Sequence, residues 1–270
     1  MFTPFAFYKG GIAFDADAQA YITEVLAQGG TLSATLQNAI NDFYLGLKSD
    51  GLYTKVLYMF PFLGATANAH AVSGVFPGNI NHTITWFASL TSAANHTSNG
   101  PSTLSANGYG NVPVRVSDHA AVNDLSLGFY QVAGTVNDQG FVIATQTNTI
   151  TSNRYQLNTP YDSNNVYYYV GGTVTGPYSN SSGYTSQMWV GSSLGSTATT
   201  YLNGTSVATS SITGALKTNT ICFFTADQAN TNSVSFTGTA GFIWGGDGLT
   251  GTEVSNLTSR VQTLMTAAGR

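Results

Sequence analysis

The dipeptide Asn203-Gly204 limits what this chain can become more than any other short stretch. It stands between two β-prone runs, Thr-Thr-Tyr-Leu and Thr-Ser-Val-Ala. A two-residue hairpin turn of type I′ needs positive φ at both central residues, and Asn-Gly accepts that conformation at the least steric cost. A lone hairpin exposes unpaired edges and is at best marginal in water, so this one implies a larger sheet. Short apolar runs broken by Gly, Asn and Ser clusters surround it from about residue 67 to residue 247. That spacing, with a turn signal every 8–12 residues or so, is the mark of a β-sandwich or jelly roll; a parallel sheet would alternate strands with helices.

Composition narrows the field. The 270 residues suit one large all-β domain with helical additions as well as two domains. Charged residues make up 7% of the chain, where soluble domains carry about 25%. Ser, Thr, Asn and Gly make up the shortfall, and from Ser163 to Leu216 there is no Asp, Glu, Lys or Arg. That run is too rich in hydroxyls and glycine to span a membrane. The net charge is −4 and the basic residues are scattered (Lys48, Lys55, Arg115, Arg154, Lys217), so no stripe exists to neutralise phosphates, and nucleic acid is excluded as a partner. Cys222 is the single cysteine. Set in Thr-Ile-Cys-Phe-Phe, it reads as a small buried hydrophobe. The first residues lack the charged lead and apolar core of a secretory signal.

Helices are expected at both ends. Asp15 or Asp17 can cap a helix over Asp15–Gln28 whose apolar face is Tyr21, Ile22, Val25 and Leu26, with Gly29-Gly30 as its stop. Leu36, Ile40, Phe43, Tyr44 and Leu47 then form a continuous helical stripe, closed by Lys48 and Gly51. Near the other end Thr250-Gly-Thr-Glu253 is a capping box, with Leu249 and Val254 as its hydrophobic staple, opening an amphipathic helix that must lie on another layer. Between these lie a buried first strand, Val56 to Phe60, and candidates at 72–76, 83–88, 108–114, 125–131, 141–147, 154–157, 166–171, 186–191, 199–202, 206–209, 220–225, 233–238 and 241–244. The expected division is a helical lead-in and first strand (1–66), a sandwich (67–247) and a closing helix (248–270), read as one composite domain.

Two segments carry a family resemblance. They are 15–64, ending in Leu-Tyr-Thr-Lys-Val-Leu-Tyr-Met-Phe-Pro-Phe-Leu-Gly, and 241–270, opening Gly-Phe-Ile-Trp-Gly-Gly-Asp-Gly-Leu-Thr. Together they resemble a family of tailed-phage and prophage virion proteins. The resemblance implies a concanavalin A-like (laminin-G-like) jelly-roll sandwich with two N-terminal helices and one C-terminal helix. It also implies a non-enzymatic structural protein on the particle surface, in a decoration, fibre or tail position. Its expected partners are other virion proteins, further copies of the chain and a host-surface or environmental glycan.

Glycoside hydrolases use the same kind of sandwich, so the residues must be tested for that chemistry. Hydrolysis needs two carboxylates about 5–10 Å apart. The chain has two glutamates, Glu24 and Glu253, both on expected helices. Asp118, Asp124, Asp138, Asp162, Asp227 and Asp247 each sit among turn-forming Asn, Gly or Ser, so no catalytic residue is assigned. His70, His82, His96 and His119 are dispersed, without the short spacing of a metal site, and Asp162-Ser-Asn-Asn165 falls short of a Ca²⁺ loop; no metal or cofactor is expected. Trp86, Trp189 and Trp244 read as core.

The most informative segment is Val166-Tyr-Tyr-Tyr-Val170. On a strand, Val166, Tyr168 and Val170 share one face while Tyr167 and Tyr169 share the other. If the first face is core, the second shows two phenols to a sugar, to a covering helix or to a neighbouring subunit. Tyr161, Asp162, Asn164 and Asn165 just upstream suit hydroxyl recognition. These six residues (Tyr161, Asp162, Asn164, Asn165, Tyr167 and Tyr169) form the expected ligand-binding site. The alternative to a particle component is therefore a carbohydrate-binding adhesin or lectin.

Overall fold

A computed structural model describes residues 13–103, 108–134, 141–145, 154–158, 165–179, 185–216, 220–224 and 236–270. The chain opens with helices α1 (Ala16–Ala27) and α2 (Ala34–Ser49), strand β1 (Val56–Phe60) and the short helix α3 (Ala67–His70). Strands β2 (Thr85–Ala88), β3 (His96–Thr97), β4 (Gly100–Pro101), β5 (Gly108–Arg115) and β6 (Asp124–Gly134) follow. Next come β7 (Phe141–Thr145), β8 (Arg154–Asn158), β9 (Asn165–Gly171) and β10 (Thr173–Ser179). The last are β11 (Gln187–Leu194), β12 (Thr197–Leu202), β13 (Thr205–Ser211), β14 (Thr220–Phe223), β15 (Gly238–Gly246) and helix α4 (Gly251–Ala267).

The strands form two large antiparallel sheets and a small pair, β3 with β4. The six-stranded sheet runs β1-β15-β6-β11-β12-β13, and the seven-stranded sheet runs β10-β9-β8-β7-β14-β5-β2. They face each other across one core, to which the first sheet brings Leu125, Leu127, Phe129, Trp189 and Ile243. The second brings Val112, Ile143, Leu157, Tyr168 and Ile221.

Strand alternation sends the intervening residues of the six-stranded sheet the other way, into a second core. Tyr130, Met188, Val190, Phe242 and Trp244 there meet Tyr21 and Val25 of α1, Phe43 and Tyr44 of α2, and Leu257 and Val261 of α4. The β1-β15-β6-β11 part of this sheet is thus buried on both faces, and every residue of β15 is buried, while β12 and β13 reach the surface. Gly128 makes room, since a Cβ there would lie 2.9 Å from Met188 and 3.2 Å from Trp244. The Trp244 indole N–H, buried with the ring, donates to Ser126 Oγ at 3.0 Å.

The local signals behave as their chemistry requires. Asn203 and Gly204 have φ of 48° and 82° and join β12 to β13. Asp15 caps α1, and Thr250 and Glu253 close a reciprocal capping box on α4. Lys55 reaches Glu253 at 2.7 Å and Arg260 reaches Asp50 at 2.9 Å, tying α4 to the N-terminal layer.

Three expectations need correction. The segment 72–76 is not a strand: Ser73 Oγ accepts from the backbone N–H groups of Val75 and Phe76, and this local turn replaces a ladder. Strand β10 was not expected, because Gly176-Pro177 interrupts its pattern. It is an edge strand with a register shift between Thr175 and Tyr178, which is where a sheet accommodates proline. The helices cover the six-stranded sheet, so they are not what lies against Tyr167 and Tyr169. The candidate at 233–238 lies mostly outside the described residues; β15 begins at Gly238.

Gly191 packs its α-carbon against the core-facing Tyr168 ring, and a Cβ would stand 2.3 Å from it. Gly191→Ala therefore lowers unfolding stability by about 1–3 kcal/mol through overpacking. Thr250→Ala, which removes a cap on the far side of the same sheet, lowers it by about 1 kcal/mol. Urea denaturation with an unchanged m-value checks both.

Candidate functional site

Strand β9 places its residues as alternation dictates. Val166, Tyr168 and Val170 are fully buried between the sheets, and Asn165, Tyr167 and Tyr169 are half-buried on the outer face of the seven-stranded sheet. The two phenol rings stand 6.0 Å apart, tilted by 32°. Of the expected site residues, Tyr161, Asp162 and Asn164 lie outside the described residues.

The register with β8 adds two residues that the sequence did not reveal. Gln156 is directly opposite Tyr169, and Asn158 directly opposite Tyr167. Paired residues in an antiparallel ladder share a face, so two phenols and two carboxamides form one square. Gln156 Nε2 donates to Asn158 Oδ1. Both amides are buried, at 4% and 0% exposure, and Asn158 Nδ2 has no partner among the described residues. A buried amide donor without an acceptor costs about 1–3 kcal/mol. On the other side of β9, the exposed Val174 of β10 pairs with Tyr169. Cys222 is buried, as expected of it.

Among the described residues, the carboxylates sit elsewhere. Asp124 and Asp247 approach each other at the end of the six-stranded sheet, where Asp124 Oδ1 accepts from Gly248 N at 2.8 Å and so serves a turn. Burial, with the Asp124 charge beside it, holds the Asp247 carboxyl above the usual carboxylate range. Glu253 is partly desolvated, which acts in the opposite sense, yet its bonds to Lys55 and Thr250 hold it below that range. Among the described residues no group of three or more His, Cys, Asp or Glu could hold a metal ion.

Two histidines that looked dispersed are in contact. His70 Nδ1 and His96 Nδ1 are 3.0 Å apart in the interior, a correction that only the fold could supply. Near them a groove of about 560 Å³ runs between α1 and β2, lined by Glu24, Gln28, Asn68, Ile84, Trp86 and Leu90 among others. Trp86 was expected in the core; its ring is half-buried and its N–H donates to Ala67 O at 2.8 Å.

No family model matches the sequence, and no curated protein does. Solved structures supply a likeness of fold. Trypanosoma rangeli sialidase in complex with a difluoro-nononic acid matches with a TM-score of 0.53 at 8% identity, over 82% of this chain and 39% of that one. Another structure of Trypanosoma rangeli sialidase gives 0.50 at 8% identity over 82% and 38%. Domain 4 of AbnA, a GH43 extracellular arabinanase from Geobacillus stearothermophilus, in complex with arabinotriose, gives 0.49 at 10% identity over 76% and 98%. The chain thus spans about two fifths of the sialidase, and its fold broadly resembles β-rich parts of carbohydrate-active proteins. Among the described residues no helix is long and apolar enough to cross a membrane.

The amide pair makes its own prediction. Asn158→Leu strands the Gln156 donor in the interior and lowers stability by about 1–3 kcal/mol, whereas Gln156→Leu combined with Asn158→Leu removes both polar groups and recovers most of that loss. A double-mutant cycle by chemical denaturation measures the coupling.

Proposed function

We propose that this chain is a carbohydrate-binding surface protein that holds a glycan on the outer face of its seven-stranded sheet, without catalysing its cleavage. The observation that carries this reading is the pair of half-buried phenols, Tyr167 and Tyr169, fixed 6.0 Å apart on the outer face. Phenol rings offer apolar faces to the C–H faces of a sugar, and their hydroxyls can donate to and accept from its hydroxyls. Half-burial of the two phenols leaves them enough reach to meet a ligand at the surface while their strand is fixed by the core beneath.

This reading assigns no cleavage chemistry to the site. Acid–base hydrolysis by the usual scheme needs a pair of carboxylates flanking the bond, and among the described residues Asp124 and Asp247 lie on the other sheet, where Asp124 serves its terminal turn. The fold likeness to sialidase supports the architecture of this reading, a concanavalin A-like jelly roll, and leaves the ligand to the residues of the site.

A particle location is the second reading. Its support is that the two segments carrying the virion-protein resemblance are one physical unit: β1 pairs with β15, Phe43 meets Phe242 at 5.8 Å and Asp50 binds Arg260. In this reading the helical layer joins other virion proteins or further copies of the chain, and the tyrosine face points outward to a host or environmental glycan.

A glycan array followed by titration calorimetry tests the first reading. Tyr167→Ala and Tyr169→Ala each weaken a bound glycan at least about tenfold, equivalent to about 1.4 kcal/mol. Retention of no glycan by the wild-type chain, or unchanged affinity in both variants, overturns the proposal.

A further inference from the structure

The contact between His70, at the end of α3, and His96, on β3, has a proton arrangement that can be counted. His96 Nε2 lies 2.8 Å from Leu90 O, which can only accept, so that nitrogen carries a proton. In a neutral ring the other nitrogen, His96 Nδ1, is then an acceptor. His70 Nδ1 therefore carries the proton shared across 3.0 Å. That leaves His70 Nε2 as a bare lone pair, and it is buried with no partner among the described residues. The rings are 0% and 3% exposed, packed among Phe62, Trp86 and each other.

Neither histidine has room for a second proton. A proton on His70 Nε2 would be a buried donor without an acceptor. A proton on His96 Nδ1 would set two N–H groups face to face and break the contact. The charges nearby worsen both outcomes. The groups acting on the pair are the two imidazoles themselves and the Arg270 guanidinium, and no carboxylate among the described residues compensates them. Arg270 is itself held by neutral acceptors, donating to Phe62 O and Ser98 O at 2.8 Å each, to Gly241 O at 3.3 Å and to Met265 Sδ at 3.8 Å. Burial brings it down to about 10, with Tyr21 and Tyr130 acting in the opposite sense.

We propose that the His70–His96 contact is an acid-released clasp, which holds the segment 89–101 against the edge of the sandwich and opens when the pair is protonated. Within the segment Leu90 O is bonded to His96 and Asn95 Nδ2 to Ser89 O. Beyond it, Ser98 O accepts from Arg270, Leu90 is buried in the core between the sheets, and Gly100 abuts Ala240 O. Its opening also frees a wall of the 560 Å³ groove, because Leu90 lines that groove and Trp86 packs on His96 at 5.0 Å. Burial, chiefly, keeps both imidazoles below their ordinary value of 6.5. The sign follows: below about 6.5 the open segment binds more protons than the closed one, so closure is complete above that pH and is lost as the pH falls.

Hydrogen exchange of the full chain from about pH 7.5 to about pH 5 tests this. Once intrinsic exchange chemistry is divided out, opening of 89–101 rises about tenfold per pH unit for each proton taken up, while the peptides of β6 and β11 stay protected. The slope disappears in His70→Gln/His96→Gln and persists in His82→Gln and in His119→Gln. Should the double variant fail to fold, nitrogen NMR of the wild-type imidazoles decides. The clasp predicts one proton on His70 Nδ1, one on His96 Nε2, and no charging before 89–101 opens. A flat exchange profile, a slope that follows His82 or His119, or charging of both rings near 6.5 with the segment still protected would overturn the proposal.

Discussion

The rest of the molecule depends on the double burial of the six-stranded sheet. A sheet with one wet face can be built from alternating polar and apolar residues, but this sheet must be apolar or small on both. Strand β11 shows how the sequence does it: Trp189 points into the core between the sheets while Met188 and Val190 point into the helical core. On β15 the same division sets Ile243 against Phe242 and Trp244. Two large side chains back to back need small partners on the neighbouring strand, and Gly128 and Ser126 of β6 are those partners. The helical layer is then a structural requirement, since without α1, α2 and α4 the Trp244 face would be a large exposed apolar patch.

That division of labour leaves the seven-stranded sheet as the layer whose outer face can be given to a ligand. It owes its rigidity to the core it shares with the buried sheet. Tyr168 fills the space left by Gly191, and its neighbours on the strand are thereby fixed in register with β8. Tyr167 and Tyr169 are held at a set separation by a residue that faces the opposite way, into the core. A site on strands backed by a packed core costs little to order on binding, which favours recognition by a few weak stacking and amide contacts.

What the sequence discloses divides along the length of the interactions. The Asn203-Gly204 turn, the Thr250 capping box, the α2 stripe and the alternation at residues 166–170 are set by residues within a turn or two of each other, and each was legible. The pairing of β1 with β15 joins Tyr58 to Gly245, and no local pattern announces it. Gln156 and Asn158 look like ordinary polar strand residues until the register with β9 puts them opposite two tyrosines. His70 and His96 are 26 residues apart and share no motif; only the folding of α3 against β3 makes them a pair. The strand β10 was hidden for the opposite reason, because its Gly-Pro step is a strong local signal against a strand that tertiary pairing at a sheet edge overrides.

Low charge ties these observations together. With 7% charged residues, few acids are at hand to neutralise a buried cation. Those described are largely engaged where layers or termini must be fixed: Asp15 and Asp17 with Lys48, Asp50 with Arg260, Glu253 with Lys55. Among the described residues Arg270 and the two histidines are left with carbonyls, the Met265 sulfur and one another. In a charge-rich protein a nearby carboxylate would stabilise an imidazolium there and raise its proton affinity. Here its absence from the described surroundings makes protonation costly. In the proposed glycan-binding role, the same scarcity leaves the tyrosine face to neutral groups, whose contacts with a neutral ligand are insensitive to salt screening.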